Sequence, residues 1–468
     1  MKIFEMKNLS LLFLLTLGLN IFAQSPQVNL QLNWEIPFNF AYPALTIEHD
    51  KQGQDVIYVA AKEQGLLIYD ISSTPNKIKT ITKNQLDTLD VMNVTQEGNY
   101  LYLALGNSFT NGEYPGMAIV DVTDPTQAFV TDIWKKYSGA KSGGGIVKIE
   151  GNYAYFGGMG DGLIVFDVSN KNNISIAGSF TPSISFPDPN PDPAKYNARG
   201  MAVKNDIVYL CYDAGGIRII NTTNKQNIIE TGRYSNPAMN GKPRAYNNLA
   251  LNDTLLYVAV DYAGVEILNI KDTSDIKLVS WWNPWGTSNW FASRGHANEI
   301  QFDKNSNLLF IATGKSDMNV VSVENPAQPD SITVFGGINN SQGTWGVGLY
   351  QDKIYLGYIF VPLCIPFCSN WGGVKEISWT VNGTNIQNLE SNELIVYPNP
   401  NEGDFNFNYN SNGKSVNIIV SDAMGKEVYR KNGVLKQQNN IQLNLNSGIY
   451  ILSIKDGDKI LNQRLLIN

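Results

Sequence analysis

The sequence has few of the histidine and cysteine residues that most metal sites and many nucleophilic active sites require. Its 468 residues include only two histidines, His49 and His296, and three cysteines, whereas a structural zinc site needs four nitrogen, sulfur or carboxylate ligands. The patterns H-E-x-x-H, G-x-S-x-G and G-x-x-x-x-G-K are absent. These absences exclude the motifs of zinc proteases, α/β-hydrolases and P-loop proteins, and no metal or cofactor is predicted.

Excess positive charge and long apolar runs are also missing. The chain has 35 Lys and Arg against 42 Asp and Glu, with no basic block, so it is not expected to bind nucleic acid. The longest apolar run, from Leu11 to Leu19, is too short to cross a bilayer. Lys2 and Lys7 precede this run and Ala23 follows it. Residues 1–23 are therefore predicted to be a signal peptide that directs the chain into the periplasm.

The three cysteines are interpreted for an oxidising compartment. Cys364 and Cys368 stand close together in "PLCIPFCSN" and are expected to form a disulfide, while Cys211 in "IVYLCYD" is expected to be a buried thiol.

One strand-like segment recurs along the chain. "GLIVFDVS" at Gly162 has close copies at four other positions and degenerate copies at two more, with 46 to 56 residues between successive leading positions. Such a period indicates a propeller, a solenoid or an array. The leading residues are Gly65, Gly116, Gly162, Gly216, Gly264, Asp317 and Gly373.

A short polar residue follows five positions after each leading residue and is expected to cap a turn. Between the two, the first five copies are almost continuously apolar, as in a strand that is covered on both faces. The polar residues are Asp70, Asp121, Asp167, Asn221, Asn269, Ser322 and Ser378.

Each unit contains four strand candidates, which is the composition of a propeller blade. The seventh unit supplies only three, whereas "VNLQLNWEI" at residues 28–36 precedes the first unit. We therefore predict an all-β fold in which a seven-bladed β-propeller over residues 27–381 is closed by this N-terminal strand.

The units "GNYAYFGGMGDGLIVFDVSN" and "ARGMAVKNDIVYLCYDAGGIRIIN" resemble the LVIVD repeat, a propeller repeat of secreted bacterial proteins. The resemblance implies the fold and secretion. No functional residue follows from it, because the family has no single known activity.

The polar stretch 382–393 is interpreted as a linker, and residues 394–468 as a second domain. Its alternating apolar residues and glycine turns predict a small β-sandwich. The segment resembles the C-terminal sorting domain of the type IX secretion system, through the signature Tyr397, Pro398, Asn399 and Pro400 and the closing Gly448, Ile449 and Tyr450. The resemblance implies the type IX machinery and a sortase-like peptidase as partners, with release or attachment to surface lipopolysaccharide. The protein is accordingly expected to be secreted or held at the cell surface.

The candidate binding site is at one end of the propeller. The connections expected on one face are long and rich in aromatic residues, as in "SWWNPWGTSNWFASRG", and binding sites concentrate in such loops. Alignment of the inner strands by their apolar residues puts seven residues at one level near that face: Pro43, Asp90, Gly145, Arg199, Asn247, Asn298 and Trp345. An alternative is that Arg199 pairs with Asp90 and that the asparagines satisfy backbone groups.

Two tryptophans, Trp285 and Trp290, are the surface candidates beside this site, whereas Trp281 and Trp282 are expected to pack. His296 is interpreted as a structural hydrogen-bonding residue. The aspartates of "PDPNPDPAK" are candidate calcium ligands, although the alternating prolines equally indicate an extended spacer.

Two functions remain open. The first is a secreted or surface binding module for a glycan or a protein. The second is a hydrolase or lyase with acidic residues at the mouth of the propeller.

Overall fold

The computed structural model describes residues 26–38, 42–107, 112–286, 293–337, 340–364, 367–382 and 394–468, the last range without residues 410, 412, 424, 437 and 458. The chain divides into two compact units, residues 1–382 and 383–468. Strands dominate both. In the described part of the chain, short 3-10 helices lie at Lys83–Leu86, Pro125–Gln127, Pro193–Lys195 and Pro237–Met239. None of the described helices has the length and apolar character to cross a bilayer.

Within the described residues, the first unit contains seven four-stranded antiparallel sheets, each with the form of a propeller blade. Strand β1 spans Gln27–Pro37. Blade 1 consists of β2 (Thr46–His49), β3 (Val56–Ala60), β4 (Leu66–Asp70) and β5 (Asn76–Ile81). Blade 2 consists of β6 (Val91–Glu97), β7 (Tyr100–Leu105), β8 (Gly116–Asp121) and β9 (Phe129–Lys135). Blade 3 consists of β10 (Ile146–Glu150), β11 (Tyr153–Gly157), β12 (Leu163–Asp167) and β13 (Ser175–Phe180).

Blade 4 consists of β14 (Met201–Lys204), β15 (Ile207–Cys211), β16 (Ile217–Asn221) and β17 (Ile229–Tyr234). Blade 5 consists of β18 (Asn248–Asn252), β19 (Leu255–Ala259), β20 (Val265–Asn269) and β21 (Lys277–Trp282). Blade 6 consists of β22 (Glu299–Asp303), β23 (Leu308–Ala312), β24 (Met318–Ser322) and β25 (Asp330–Phe335). Blade 7 consists of β26 (Thr344–Tyr350), β27 (Lys353–Tyr358), β28 (Gly373–Asn382) and β1.

The first strands of successive blades contact one another from β2 through β6, β10, β14, β18 and β22 to β26, and β26 contacts β2 in turn. They form a ring around an axial space. Blades 7 and 1 approach closely at Gly346, where an added Cβ atom would lie 1.9 Å from the carbonyl oxygen of Leu45. Only a residue without a Cβ atom permits this approach, so Gly346 is required where the ring closes.

The recurrent segment forms the third strand of each blade. In blade 1, Leu66 and Ile68 are fully buried, and the apolar cluster that contains them also includes Leu101 and Leu103 of blade 2. The core therefore lies between neighbouring blades, which explains why these strands are apolar on both faces.

The polar residues that follow the third strands cap turns as predicted in blades 1 to 5. The carboxylate of Asp70, for example, accepts a hydrogen bond from the amide of Ser72 at 2.8 Å, and in blade 6 the hydroxyl of Ser322 accepts one from the amide of Glu324 at 3.4 Å. Ser378 is an exception. It lies inside β28, where it pairs with Gln31 of β1 and Lys353 of β27, so the turn prediction for it was wrong.

Strand β1 is the fourth strand of blade 7. It pairs antiparallel with β28 from Gln27 opposite Asn382 to Pro37 opposite Gly373, with one register shift between Leu32 and Trp34. The first strand of the chain is thus hydrogen-bonded to the last strand of the ring.

The second unit consists of two sheets. In chain order its strands are β29 (Ile395–Tyr397), β30 (Asp404–Asn408), β31 (Ser415–Asp422), β32 (Glu427–Val434), β33 (Asn439–Gln442), β34 (Gly448–Asp456) and β35 (Lys459–Ile467). One sheet has the order β29-β30-β33 and the other β32-β31-β34-β35. Phe405 and Phe407 of the first sheet and Ile418, Val420 and Leu452 of the second belong to one buried apolar cluster. The two sheets therefore share a core, as in a β-sandwich.

Candidate functional site

The first strands begin at the same end of the ring, and this end surrounds an open cavity of about 80 Å³. Most residues that line it stand at or just before the beginning of a first strand, and Met159 comes from the loop between β11 and β12. We call this space the mouth cavity. It is lined by Leu45, Thr46, Met92, Asn93, Gly144, Gly145, Ile146, Met159, Arg199, Asn247, Asn248, Asn298, Glu299 and Trp345.

Most of the residues predicted to share one level lie in this lining: Gly145, Arg199, Asn247, Asn298 and Trp345. Their common level has a backbone cause. The amide of Arg199 donates to the carbonyl oxygen of Cys211 at 3.0 Å, and the amide of Asn247 donates in the same way to Ala259 at 2.9 Å. Equivalent bonds place equivalent residues at the same height along the axis.

Asp90 was predicted at this level but is outside the cavity lining. The register of β6 shifts at a β-bulge between Val91 and Asn93, and Met92 and Asn93 are the residues that line the cavity in blade 2. An alignment by apolar residues does not detect the extra residue of a bulge.

Asp90 instead belongs to a separate polar cluster. Its carboxylate lies 2.6 Å from the amino group of Lys83, which also contacts Glu113 at 2.5 Å, and it accepts a hydrogen bond from Asn107 at 3.2 Å. The buried Asp90 carboxylate thus has its charge and hydrogen-bond partners in neighbouring loops, at Lys83 and Asn107. Pro43 is also outside the lining, where Leu45 takes its place in blade 1.

The partner of Arg199 is Asp213, at 3.7 Å from Nη1 to Oδ2, and not Asp90. Asp213 lies in the loop between β15 and β16 and also accepts a hydrogen bond from Asn197 at 2.9 Å. Burial raises the pKa of its carboxyl group, while the Arg199 charge opposes the rise. The alternative interpretation was therefore wrong about the residue but right that Arg199 is paired with a carboxylate.

The asparagines of the lining connect neighbouring blades. Nδ2 of Asn247 donates to the carbonyl oxygen of Ala297 at 2.9 Å, and Nδ2 of Asn298 donates to that of Thr344 at 3.1 Å. Asn93 uses its other end, because its Oδ1 accepts a hydrogen bond from the amide of Val147 at 3.3 Å. Backbone groups thus fix the orientation of each side-chain amide. Oδ1 of Asn247 remains buried without a hydrogen-bond partner among the described residues.

Glu299 is a lining residue that the sequence analysis missed. Its Oε2 accepts a hydrogen bond from the amide of Val347 at 2.9 Å, and its Oε1 lies 3.4 Å from Nδ2 of Asn248. Burial raises its pKa to about 7, although the Val347 hydrogen bond and the charge of Lys148 lower it. A carboxyl group with this pKa exchanges a proton near neutral pH.

Lys148 and Glu48 form the charged surroundings of Glu299. Burial lowers the pKa of the Lys148 amino group, and the charges of Glu48 and Glu299 oppose that effect. Glu48 is also ion-paired with Lys51. The available signal was the presence of charged residues inside short apolar strands, as in "TIEH", "IVKIE" and "NEIQF". Their proximity depends on ring closure, which brings blades 1, 3 and 6 to one axis.

The tryptophans have different places. Trp345 lines the mouth cavity and is only partly buried. Trp285 is outside the lining and packs edge-to-face on Trp282, with ring centroids 5.4 Å apart. Trp290 lies outside the described residues. The indole of Trp281 donates to the carbonyl oxygen of Ala263 at 2.7 Å, so the packing predicted for Trp281 and Trp282 agrees with the structure.

The remaining candidates have structural contacts. His296 is fully buried, with its Nδ1 at 2.6 Å from the carboxylate of Asp261. Cys364 and Cys368 are joined by a disulfide, and Cys211 is a buried thiol. Between the bridged cysteines, Phe367 is buried, and its ring centroid lies 5.7 Å from that of His296.

The aspartates considered as calcium ligands have other contacts. Asp188 is ion-paired with Arg244 at 2.6 Å, and Asp192 caps the 3-10 helix Pro193–Lys195. Among the described residues, no group of three or more His, Cys, Asp or Glu side chains has metal-binding geometry.

Several signature residues of the second unit contact its last strand, β35, whereas Tyr397 contacts β30. Nδ2 of Asn399 donates to the carbonyl oxygen of Arg464 at 2.7 Å, and its Oδ1 accepts from the amide of Leu466 at 2.8 Å. The hydroxyl of Tyr397 donates to Asn408 at 3.2 Å, and Pro398 and Pro400 follow cis peptide bonds. Gly448, Ile449 and Tyr450 begin β34, which pairs with β35.

Comparison with known families agrees with both resemblances. Residues 395–468 match the family model of the secretion system C-terminal sorting domain. Residues 55–79, 90–131 and 145–181 match the LVIVD repeat. This sorting domain, which we call the tail, indicates export by the type IX secretion system to the cell surface or the extracellular space. No curated protein matches the chain.

Solved structures show the same fold at low sequence identity. The WD40 repeats of RRP9 align with 76% of this chain and 99% of their own, at 12% identity and a TM-score of 0.54. A chain of the mitotic checkpoint complex aligns with 74% of this chain and 93% of its own, at 11% identity and a TM-score of 0.53. At such identities the likeness concerns the fold alone, and it supports the propeller.

Proposed function

We propose that this exported propeller is a binding module of the cell surface or the extracellular space, and that its ligand occupies the mouth cavity. The observation that carries the proposal is the cavity lining itself. It combines a partly exposed indole, Trp345, with polar side chains from several blades, among them Arg199, Asn247 and Glu299. Concave sites with an aromatic surface and a few convergent polar groups are typical of small-molecule and chain-end recognition.

The position of the long loops also indicates that the face with the mouth cavity is the binding face. The chain segments between the fourth strand of one blade and the first strand of the next enter the ring at the mouth cavity, and several are long, such as residues 181–200 and 235–247. The connections at the other end of the first strands are short turns, as between β10 and β11. Binding residues concentrate in long loops that a rigid scaffold holds.

The proposal is tested with the protein purified as its host secretes it. A panel of neutral oligosaccharides, uronate-containing oligosaccharides and peptides is titrated by calorimetry against the wild type and against Trp345→Ala. We expect at least one class to bind, and the variant to lose roughly tenfold or more in affinity. Tyr137, which is 75% exposed and outside the cavity lining, gives the matched control Tyr137→Ala.

Two results contradict the proposal. The first is that no member of the panel binds. The second is that a ligand binds and Trp345→Ala has the same affinity as the wild type and Tyr137→Ala. Melting curves of the variants establish that a loss of binding is not a loss of folding.

Glu299 supports a second candidate function, a hydrolase or lyase. A carboxyl group with a pKa of about 7 inside a cavity has the protonation behaviour of a general acid. If the protein cleaves a ligand that it binds, Glu299→Gln should abolish turnover and retain binding. Binding without turnover in the wild type would contradict the hydrolase or lyase and leave the binding module as the function.

A further inference from the structure

We infer that the ligand of the mouth cavity is the end of an uncharged, polyhydroxylated chain, that is, a neutral glycan. This inference rests on the proposed function and adds the chemical class of the ligand. It is carried by three properties of the lining: its charge balance, the hydrogen-bonding groups that it leaves available, and the shape of the entrance.

The charges around the cavity compensate one another. The guanidinium group of Arg199 is paired with Asp213. Glu48 is paired with Lys51, and Lys148 lies in the field of Glu48 and Glu299. Arg199 and Lys51 are thus ion-paired, and the charges of two carboxylates oppose that of Lys148.

This balance decides between classes of ligand. A peptide carboxylate or a uronate would need a cation that is not already compensated, and a ligand ammonium group would need such an anion. Placing a charged group beside balanced pairs costs its desolvation without a matching attraction. An uncharged ligand avoids this cost.

The lining nevertheless offers both donors and acceptors. Oδ1 of Asn247 is a buried acceptor without a partner among the described residues, while its Nδ2 donates to the carbonyl oxygen of Ala297. Among the residues that the structure describes, Oε1 of Glu299 has only the long contact to Nδ2 of Asn248, at 3.4 Å. Asn93 presents the opposite group: its Oδ1 accepts a hydrogen bond from the amide of Val147, and its Nδ2 is a donor with no partner in the described part of the chain.

Hydroxyl groups match such a mixture, because each donates one hydrogen bond and accepts others. The partly exposed Trp345 adds an apolar surface for the C–H face of a sugar ring. A neutral sugar therefore satisfies the polar groups and the indole together.

The entrance restricts how a polymer binds. The first strands surround the axial space in a closed ring, so a chain that reaches into the cavity does so by an end. We therefore expect binding to depend on the terminal units and to saturate at short chain length.

The test compares ligands that differ in charge alone. Tetrasaccharides of β-1,4-glucose, β-1,3-glucose, β-1,4-mannose and β-1,4-N-acetylglucosamine are titrated in parallel with analogues whose terminal unit is a uronate. We expect one or more of the neutral tetrasaccharides to bind the wild type. The affinity of the corresponding uronate analogue should be lower by roughly tenfold or more.

Asp213→Asn provides the converse experiment. This variant removes the carboxylate that compensates Arg199, so it should strengthen binding of the uronate analogue several-fold. Binding of the neutral tetrasaccharide should change little. Asp253→Asn is the matched control, because Asp253 is an exposed carboxylate on the opposite face, at the turn between β18 and β19, and it should change neither affinity.

The outcomes separate this inference from the proposed function. Preferential binding of uronates or peptides that is lost in Trp345→Ala would overturn the neutral-glycan inference and retain the site. Neutral tetrasaccharides that bind equally to the wild type and Trp345→Ala would overturn both. Binding of the neutral series that is sensitive to Trp345→Ala, with the expected response of Asp213→Asn, supports both.

Discussion

The guanidinium group of Arg199 lies 3.7 Å from the carboxylate of Asp213, and both side chains are largely buried at the mouth of the propeller. Asp213 has little other charge compensation, since its second partner is the neutral amide of Asn197. The arginine therefore stabilises a carboxylate whose pKa burial already raises.

Arg199→Ala should consequently affect folding as well as binding. The buried Asp213 carboxylate would lose its cation, and we expect the free energy of unfolding to fall by about 1–3 kcal/mol at pH 7.5. The double variant Arg199→Ala/Asp213→Asn should recover much of the loss, because no uncompensated charge remains. Urea denaturation measures both. Equal stabilities for the single variant and the wild type would show that the pair contributes nothing.

Glu266 should make the stability of the propeller depend on pH. It is fully buried, accepts hydrogen bonds from Nδ2 of Asn236 at 2.7 Å and the hydroxyl of Tyr246 at 3.0 Å, and burial raises its pKa to about 7. The folded state thus keeps this proton to a higher pH than the unfolded state, for which the ordinary value is 4.5. Between these two values the free energy of unfolding falls as the pH rises.

Glu266→Gln removes this titration. The free energy of unfolding of the variant minus that of the wild type should therefore rise by roughly 2–4 kcal/mol as the pH increases from 4.5 to 8. Glu299 and Asp317, whose pKa values burial also raises to about 7, leave a residual dependence in the variant. Denaturation curves across this pH range test the expectation, with the exposed Glu324→Gln as control. Parallel pH profiles for Glu266→Gln and the wild type would refute it.

The pairing of β1 with β28 predicts that the first strand is needed for a closed ring. Deletion of residues 28–36, with the signal peptide kept, removes the fourth strand of blade 7 and exposes the edge of β28. We expect aggregation or a melting temperature lowered by several degrees. Size-exclusion chromatography and a melting curve give the answer, and an unchanged melting temperature would mean that β1 does not hold the ring together.

The tail should be required for export and not for folding of the propeller. Deletion of residues 394–468 leaves the seven sheets of the first unit intact, so we expect a folded propeller that accumulates in the periplasm. Fractionation followed by limited proteolysis distinguishes folded from unfolded material. Wild-type amounts at the surface or in the medium would contradict the role of the tail in export.

The sequence was sufficient for the all-β propeller class, because the recurrent apolar strands and their Asp or Asn caps are local signals. It also placed Arg199, Asn247 and Asn298 at one level. It failed at Asp90, where a bulge adds a residue to β6, and at Ser378, where pairing with β1 replaces a turn.

The charges of the axial space could not be found in this way. Glu48, Lys148 and Glu299 are far apart in the chain and meet only because seven sheets close into a ring. The partner of Arg199 was likewise misassigned, since a loop in the same blade supplies Asp213. Local pattern identifies elements, whereas contacts across a ring depend on its closure.

A crystal structure with a bound sugar would show whether the propeller binds its ligand in the mouth cavity. Crystals of the secreted protein would be soaked with the tetrasaccharide that binds most tightly in the titrations. We expect a terminal sugar ring over the indole of Trp345, with hydroxyl groups within hydrogen-bonding distance of Asn247 and Glu299. A sugar bound on the outer strands of the blades, with the mouth cavity empty, would contradict it.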